Sequence, residues 1–267
     1  MGIHFLFPAH PLRSTVVEET FADQRAALKA AGYSVSLCSD SAIHDSKPLP
    51  NVPPGATVVY RGWMLNAAEY ARLVQAIDEA SATPMTPTNL YLAAHHLPNW
   101  YPLLAEFTPE TRSLSADGDW ESELRSLGWG SFFIKDYVKS LKTSRGSIVH
   151  DPSEIGSVVA EMKKFRGEIE GGLCVRRVEP FVTETERRYF VIDGKAFSPD
   201  DEAVPDLVKL AASRISSPFF SVDVVRRDDG EVRIVEIGDG QVSDVVGWSV
   251  DAFVRMWKLA RPPSEAL

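Results

Sequence analysis

The sequence has little cysteine and no long apolar run. Only Cys38 and Cys174 are cysteines among 267 residues, and both lie in apolar runs typical of strands. We therefore expect buried, reduced thiols in a cytoplasmic protein rather than a disulfide framework. No apolar stretch approaches the ~20 residues that a membrane-spanning helix needs. The N-terminal segment MGIHFLFPAHPLR lacks the basic start and cleavage site of a secretory signal, and is expected to form the first strand.

Positive charge is also scarce. The chain has 28 Lys and Arg against 37 Asp and Glu, which gives a formal net charge of -9. This balance argues against a general nucleic-acid or membrane-surface partner, although it allows a local basic cleft. Apolar and charged fractions of 44% and 24% are those of a soluble globular protein, long enough for one large or two moderate domains.

The common catalytic motifs are missing. There is no Walker phosphate loop, no His-Glu-x-x-His zinc helix and no Gly-x-Ser-x-Gly elbow. The stretch GDGQVS (238–243) resembles part of a dinucleotide-binding turn, but too little chain follows it for a βαβ unit. No serine or cysteine constellation indicates a protein nucleophile.

The N-terminal part alternates between strand and helix patterns. Strands are expected at 3–7, 33–38 and 56–62. A helix with Val17, Phe21, Leu28 and Ala31 on one side is expected after the first strand. Asn66 with Glu69 forms a capping-box pattern before another helix. These patterns predict a small α/β domain with a mostly parallel sheet over residues 1–84.

The remainder of the chain, 85–267, has a different pattern. The proline-rich stretch 81–102 is expected to be a passage with one short helix near 89–96. Beyond it we expect a strand at 131–138, a basic loop at 139–147 and a helix capped by Asp151. Asp193-Gly194 and Asp229-Gly230 predict two-residue hairpin turns, and this half therefore reads as α+β.

The second hairpin brings two acids together. A two-residue turn at Asp229-Gly230 places Asp223 opposite Glu236, where like charges destabilise a sheet. A hard cation such as Mg²⁺ would turn that repulsion into a binding site. Alternatively, the acids splay into solvent or are held by arginines such as Arg188. A register slip of one residue would separate them.

Several basic residues are candidate partners for phosphates or a substrate. Lys135 ends a strand, and Lys139 lies in the basic loop that follows; either is compatible with solvent exposure. Arg61 follows an apolar strand, where a guanidinium could bind a substrate carboxylate or form an ordinary surface ion pair. Arg176 and Arg177 alternate on their strand, so at most one faces a cleft, and Arg176 is favoured.

The order of these residues resembles an ATP-grasp domain over roughly 85–245. EPFVTETERRYF is similar to the hinge region of that superfamily, while VVYRGWML and VEIGDGQVSD look most like a bacterial and phage clade named for two arginines and a lysine. The resemblance implies that Glu179 lies in the hinge at the adenine and Glu186 near the ribose. It also implies that Asp223 and Glu236 are Mg²⁺ ligands, and that a small domain precedes the core.

The resemblance implies an ATP- and Mg²⁺-dependent carboxylate–amine ligase that forms an acyl-phosphate and then an amide. Lys135 and Lys139 would hold phosphates, and Arg188 would stabilise the transferred phosphoryl group. The acid is expected to be a small molecule or peptide. A kinase on the same scaffold and an inactive nucleotide-binding module are the alternatives.

Two positions depart from the superfamily pattern. Gly238 stands where the metal motif usually has asparagine, and Asp239 or Gln241 could replace it. The usual upstream ATP-binding lysine has no clear match, and His95 or His96 is a candidate substitute.

Overall fold

The structure is a computed structural model that describes residues 2–44, 48–49, 51–115, 118–138, 146–166, 169–200 and 202–263. Its internal contacts divide the chain into two compact units. The first unit comprises residues 1–92, 188–222 and 238–267, and the second comprises 93–187 and 223–237. The predicted domain division at residue 84 stays a prediction, since contact units need not coincide with domains that are continuous in sequence.

The first unit contains a five-stranded sheet built from the N-terminal segment. Its strands are β1 (Ile3–His10), β2 (Arg13–Val17), β3 (Ser34–Cys38), β4 (Thr57–Tyr60) and β5 (Thr83–Pro84). β1 runs parallel to β3 and β4, β4 runs parallel to β5, and only β2 is antiparallel to β1. The accompanying helices are α1 (Ala22–Ala30), α2 (Asp40–His44) and α3 (Ala67–Glu79). This arrangement confirms the predicted α/β character of the N-terminal segment.

The second unit contains a four-stranded antiparallel sheet in the order β6-β9-β7-β8. The strands are β6 (Thr111–Ser113), β7 (Phe132–Asp136), β8 (Ile148–Val149) and β9 (Leu173–Arg177). The helices are α5 (Leu97–Leu104), α6 (Trp120–Leu127) and α7 (Ile155–Arg166), while α4 (Thr88–His95) crosses the division between the units. One face of the sheet and helix α7 share a core that includes Phe132, Ile134, Val158 and Met162.

A third sheet runs in the order β11-β10-β12-β13. Its strands are β10 (Phe181–Ile192), β11 (Lys195–Phe197), β12 (Phe219–Arg227) and β13 (Val232–Asp239). β10, β12 and β13 each contribute residues to both units. Helices α8 (Asp206–Arg214) and α9 (Val250–Ala260) complete the chain.

Aromatic packing joins the C-terminal helix to the N-terminal sheet within the first unit. Trp257 of α9 is fully buried, and its ring meets Phe5 and Phe219 edge-on at centroid distances of 4.9 Å each. Such edge-to-face contacts add to the large apolar area that each ring removes from water. The C-terminal segment therefore packs with residues 1–92 despite its distance in sequence.

Two local signals in the sequence are confirmed. The Asn66 side chain accepts hydrogen bonds from the Ala68 and Glu69 amides, and the Glu69 carboxylate accepts one from the Asn66 amide. The Asp193-Gly194 turn joins strands in which Ile192 pairs with Lys195, as a two-residue hairpin requires.

Two expectations about secondary structure are wrong. Val17 belongs to β2 rather than a helix, because the chain folds back and pairs it with Ala9 of β1. The proline-rich stretch holds two helices, α4 and α5, instead of one. Pro98 lies in the first turn of α5, where its missing N–H has no intrahelical partner to lose.

The two cysteines are free and buried, as expected. Within the described residues, no helix is both long and apolar enough to cross a bilayer.

His4 gives the fold a measurable pH dependence. Its ring nitrogens lie 2.8 Å from Ser34 Oγ and 2.7 Å from Ser36 Oγ, and burial lowers its pKa to about 4. In the unfolded chain the His4 pKa is near 6.5, so between pH 6.5 and 4 the unfolded state binds a proton that the folded state does not. The free energy of unfolding therefore falls as the pH is lowered from 6.5 towards 4. The loss attributable to this group should be roughly 3 kcal/mol.

Urea unfolding followed by circular dichroism between pH 7.5 and 4 tests this expectation. His4→Gln should flatten the fall of the unfolding free energy relative to wild type, since glutamine does not titrate. Parallel curves for the two proteins would contradict the assignment.

Candidate functional site

Lys135 and Arg176 lie on the same face of the second-unit sheet. In its register Lys135 pairs with Cys174, and Phe133 pairs with Arg176. Directly paired residues point to the same side, so both cations share a face, whereas Arg177 points to the other. Lys135 and Arg176 are only 5% and 6% exposed, while Arg177 is exposed. Lys135 is thus a buried residue inside β7 rather than a solvated one at its tip.

Both cations contact strand β13. The Lys135 ammonium donates to Glu236 Oε1 at 3.4 Å, and Arg176 Nη1 donates to the Val235 carbonyl at 2.6 Å. Burial lowers the pKa of Arg176, while Glu236 acts in the opposite direction. A buried cation of this kind is stable only beside oxygen partners. Lys135, Arg176 and Glu236 therefore form one cluster of charge, which we call the β13 cation cluster.

The hairpin that carries the two acids does not have the expected turn. Gly230 N donates to Arg227 O, and Arg227 N donates to Glu231 O, which leaves three residues in the loop. Gly230 has φ +92°, so the loop is a turn closed by a glycine bulge rather than a two-residue hairpin. At the other end Gly240 N donates to Phe219 O, the pairing that the two-residue turn predicts.

The register therefore slips by one residue somewhere along this hairpin. Ile234 and Ile237 are both buried although they are three residues apart, so the regular alternation of β13 breaks between them. Asp223 is 4% exposed, and the side chain of Glu236 is 40% exposed. Their direct opposition stays a prediction. Among the described residues, no three His, Cys, Asp or Glu side chains group as they would around a metal ion.

The space beside Gly238 is occupied by two hydroxyls. A Cβ at this position would lie 3.0 Å from Ser243 Oγ and 3.1 Å from Ser221 Oγ, tighter than nearly all such contacts. The two hydroxyls lie 2.7 Å apart, and Ser243 Oγ also donates to the Asp239 carbonyl. The serine pair thus takes the room that a longer side chain at 238 would need.

Asp239 and Gln241 face the interior of the first unit. Asp239 Oδ1 accepts one hydrogen bond from the backbone N–H of Gln241 at 3.0 Å and another from its side-chain Nε2 at 3.2 Å. The same Nε2 also donates to the Tyr70 hydroxyl at 2.6 Å. Asp239 is fully buried, and this burial raises its pKa to about 7 against the opposing effects of Gln241 and Arg61. Both candidate replacements for the asparagine are therefore engaged in an internal polar network.

Arg61 is buried in the same network, and is not the surface residue that one alternative expected. Its Nη1 donates to the carbonyls of Gly240, Gln241 and Ser243, and its Nε and Nη2 both donate to Gln24 Oε1. Burial lowers its pKa to about 10, with Asp244 and Asp239 opposing the shift. Binding of a substrate carboxylate by Arg61 stays a prediction, but each of its three nitrogens already donates to an oxygen of the protein.

Glu179, the acid predicted to lie in the hinge, is close to two arginines. Its Oε2 is 3.2 Å from Arg233 Nε and 3.8 Å from Arg227 Nε. Sequence patterns did not identify either arginine, because charged residues near a hairpin turn are usually solvated. The signal that identifies each arginine is its ion pair with Glu179, which is distant along the chain.

The remaining candidates are Glu186, Arg188, Lys139 and His96. Glu186 is exposed on β10, and Arg188 Nη1 donates to the Asp244 carbonyl at 2.8 Å. Lys139 lies outside the described residues. His96 Nε2 lies 3.4 Å from Glu170 Oε1, and its ring meets Tyr137 edge-on; whether it replaces a lysine stays a prediction.

Residues 126–257 match a family model that describes an ATP-grasp domain, family 3 of the clade named for two arginines and a lysine. This part of the chain is an ATP-grasp domain of that clade. The match spans Lys135, Arg176, Glu179 and both acids of the β12–β13 hairpin, and the predicted superfamily and clade are confirmed. A search of curated protein sequences gives no match.

Solved structures extend the ATP-grasp likeness over nearly the whole chain. D-cycloserine synthetase DcsG is 15% identical with a TM-score of 0.62, covering 97% of this chain and 99% of its own. The ATP-grasp ligase PsnB in complex with a minimal precursor, Mg and ADP is 12% identical with a TM-score of 0.58, and 97% of each chain is covered. D-alanine–D-alanine ligase from Bacillus anthracis is 13% identical with a TM-score of 0.59, again over 97% of each. At these identities the likeness shows the fold, which confirms the predicted ATP-grasp architecture.

Replacing Arg61 should destabilise the protein strongly. Arg61→Met would leave three carbonyls and the Gln24 amide oxygen without their buried donor, at an expected cost of about 3 kcal/mol or more. Arg61→Lys should lower the free energy of unfolding by less, because lysine keeps the positive charge although it lacks the planar set of N–H donors. Urea unfolding provides the measurement.

The matched control is Arg13→Met, an exposed arginine on β2 of the same unit. Equal stability of the Arg61→Met and Arg13→Met proteins would count against the structural role, and would favour the predicted contact with a substrate carboxylate.

Proposed function

We propose that this protein is an ATP-dependent carboxylate–amine ligase. The observation that carries the proposal is the β13 cation cluster, which places Lys135 and Arg176 beside Glu236 within the ATP-grasp domain. Positive charge buried next to an acid on a strand of another sheet is suited to binding a nucleotide's phosphates. The clade and the ligases among the similar folds support the same reaction class.

Lys135 would bind phosphate oxygens by exchanging its carboxylate partner for the nucleotide, and Lys139 would add a second cation. Glu179 would act through the hinge that meets the adenine, and Glu186 would lie near the ribose. These two roles follow from the resemblance in sequence. The stabilisation of the transferred phosphoryl group by Arg188 and the support of the site by Arg176 belong to the same proposal.

The residues present fit a magnesium ion shared with phosphates. Mg²⁺ commonly takes one or two carboxylates and completes its shell with phosphate oxygens and water, so it needs no cluster of three protein ligands. Asp223 and Glu236 supply two carboxylates on neighbouring strands. Asp239 as a metal ligand stays a prediction: its Oδ1 is bonded to Gln241, whereas its buried Oδ2 has no hydrogen-bond partner among the described residues. Bound there, magnesium would neutralise charge on the transferred phosphoryl group.

The proposed reaction needs no nucleophile from the protein. A substrate carboxylate attacks the γ-phosphorus and ADP leaves, which gives an acyl-phosphate. An amine then attacks the acyl carbon, loses its proton and expels inorganic phosphate, leaving an amide. The protein's part is positioning and electrostatic stabilisation. An amino-acid or peptide carboxylate is proposed as the acid, and a cytoplasmic location is proposed from the two free thiols.

A nucleotide-binding module without turnover is the second candidate. The observation that favours it is the serine pair beside Gly238, in place of the metal-motif asparagine. A kinase would use the same residues but stop at the phosphorylated substrate.

Calorimetric titration with a non-hydrolysable ATP analogue, with and without Mg²⁺, tests nucleotide binding. We expect Lys135→Ala to weaken binding at least tenfold, because it removes a charged hydrogen-bond donor. Asp223→Ala/Glu236→Ala should abolish the Mg²⁺ dependence of binding. The control is Lys163→Ala, an exposed lysine on α7.

Absence of binding by folded wild-type protein would refute the proposal. If binding occurs, carboxylates and amines can be screened for inorganic phosphate release. A ligase releases phosphate only when both substrates are present, a kinase leaves it on the substrate, and an inactive module does neither.

A further inference from the structure

We propose that Arg233 is a positioning residue that fixes the start of the predicted hinge region, residues 179–181 (called the hinge below), through the carboxylate of Glu179. The inference rests on the proposed function, because the hinge is the segment proposed to meet the adenine. All residues involved belong to the second unit.

The guanidinium of Arg233 joins three segments. Its Nη1 donates to the Glu106 carbonyl at 2.9 Å, and its Nη2 donates to the Thr108 carbonyl at 2.8 Å. The same Nη2 donates to Glu179 Oε1 at 3.3 Å, while Nε lies 3.2 Å from Oε2. The side chain is 11% exposed. A planar fork of donors can satisfy such a set of oxygens, whereas a lysine ammonium cannot reach all of them.

The same hairpin holds the hinge by its backbone. Asp228 N, in the turn between β12 and β13, donates to the Pro180 carbonyl at 3.0 Å. Within the hinge, Phe181 N donates to the Glu179 carbonyl at 2.9 Å. Arg227 Nε adds a weaker contact at 3.8 Å from Glu179 Oε2. The hinge is therefore anchored to the hairpin through both a main-chain bond and an ion pair.

These contacts direct the carboxylate of Glu179 away from a ligand role. Both of its oxygens face arginine, and its side chain is 13% exposed. Glu179 then acts on a nucleotide through the hinge backbone that it holds in place.

Because a cavity lies beside the ion pair between Arg233 and Glu179, the position of the hinge depends on that ion pair. The cavity has a volume of about 420 Å³ and is lined by Tyr101, Thr108, Arg177, Glu179 and Arg233 among others. Closely packed side chains do not support the hinge from that side. Loss of the guanidinium would leave Glu179 with space to move into and with only the longer 3.8 Å contact to Arg227 of its two described ion pairs.

The position of Arg233 on β13 links the hinge to the acids. Arg233 lies three residues before Glu236, whose carboxylate accepts from Lys135. Strand β13 therefore positions both the arginine that holds the hinge and the carboxylate that contacts Lys135, the proposed phosphate-binding lysine. A shift of this strand would alter both contacts together.

The test compares Arg233→Met, Arg233→Lys and Glu179→Gln with Arg226→Met, an exposed arginine on the same hairpin. In the nucleotide-free protein, hydrogen exchange should accelerate at the Phe181 and Asp228 amides in Arg233→Met, with little change in α7. By calorimetry this variant should bind the ATP analogue about tenfold more weakly, the effect expected from losing a charged contact. Arg233→Lys should recover part of the affinity. Combining Arg233→Met with Glu179→Gln should add little to either change alone.

Hinge exchange and affinity in Arg233→Met that match Arg226→Met would overturn the inference. So would additive losses in the double variant, since they would mean that the two residues act independently. If wild-type protein does not bind the analogue, the proposed function fails, but hydrogen exchange still decides whether Arg233 fixes the hinge.

Discussion

A cation removed from water must find oxygen partners, and residues 235–243 supply them in each unit of this protein. In the second unit, the Val235 carbonyl and the Glu236 carboxylate receive Arg176 and Lys135. In the first unit, carbonyls of the loop after β13 receive Arg61. The end of β13 and the following loop are thus tied to segments far away in sequence. Lys135 and Arg176, which are proposed to act in the reaction, and Arg61, which is bonded within the fold, therefore have their oxygen partners in the same short stretch of chain.

Local sequence signals predicted elements well where the chain's own neighbours decide the structure. The capping box at Asn66 is complete within four residues, and the Asp193-Gly194 turn has positive φ at both positions, as its turn type requires. Asp229-Gly230 carries the same dipeptide signal but forms a different loop. Here only Gly230 has positive φ, and Asp228 donates to Pro180, a contact that no local pattern reveals. A tertiary hydrogen bond is associated with the longer loop, and the pairing beside the turn differs by one residue from the predicted one.

The roles of charged residues were harder to predict than their surroundings. Arg61 beside a glycine at a strand end has the pattern of a ligand-binding residue, yet a buried guanidinium that satisfies a loop has the same pattern. Asp239 is equally ambiguous, because a metal ligand and a buried acid bonded to Gln241 look alike in sequence. Arg233 gave no signal, since its partners at Glu106, Thr108 and Glu179 are all distant along the chain. Burial and long-range pairing, which distinguish these cases, are properties of the folded chain.

The β13 cation cluster also changes the argument for a metal at the two acids. Repulsion between two carboxylates that face each other would suggest a bound cation. However, Lys135 lies 3.4 Å from Glu236, and Arg176 also interacts electrostatically with Glu236. These protein cations offset part of the repulsion, so the acids alone are weak evidence for magnesium. The stronger reason is that phosphates would compete with Glu236 for Lys135. Under the proposed function, a nucleotide that took the lysine would leave the carboxylates in need of another cation. Magnesium binding would then depend on nucleotide binding rather than on the fold.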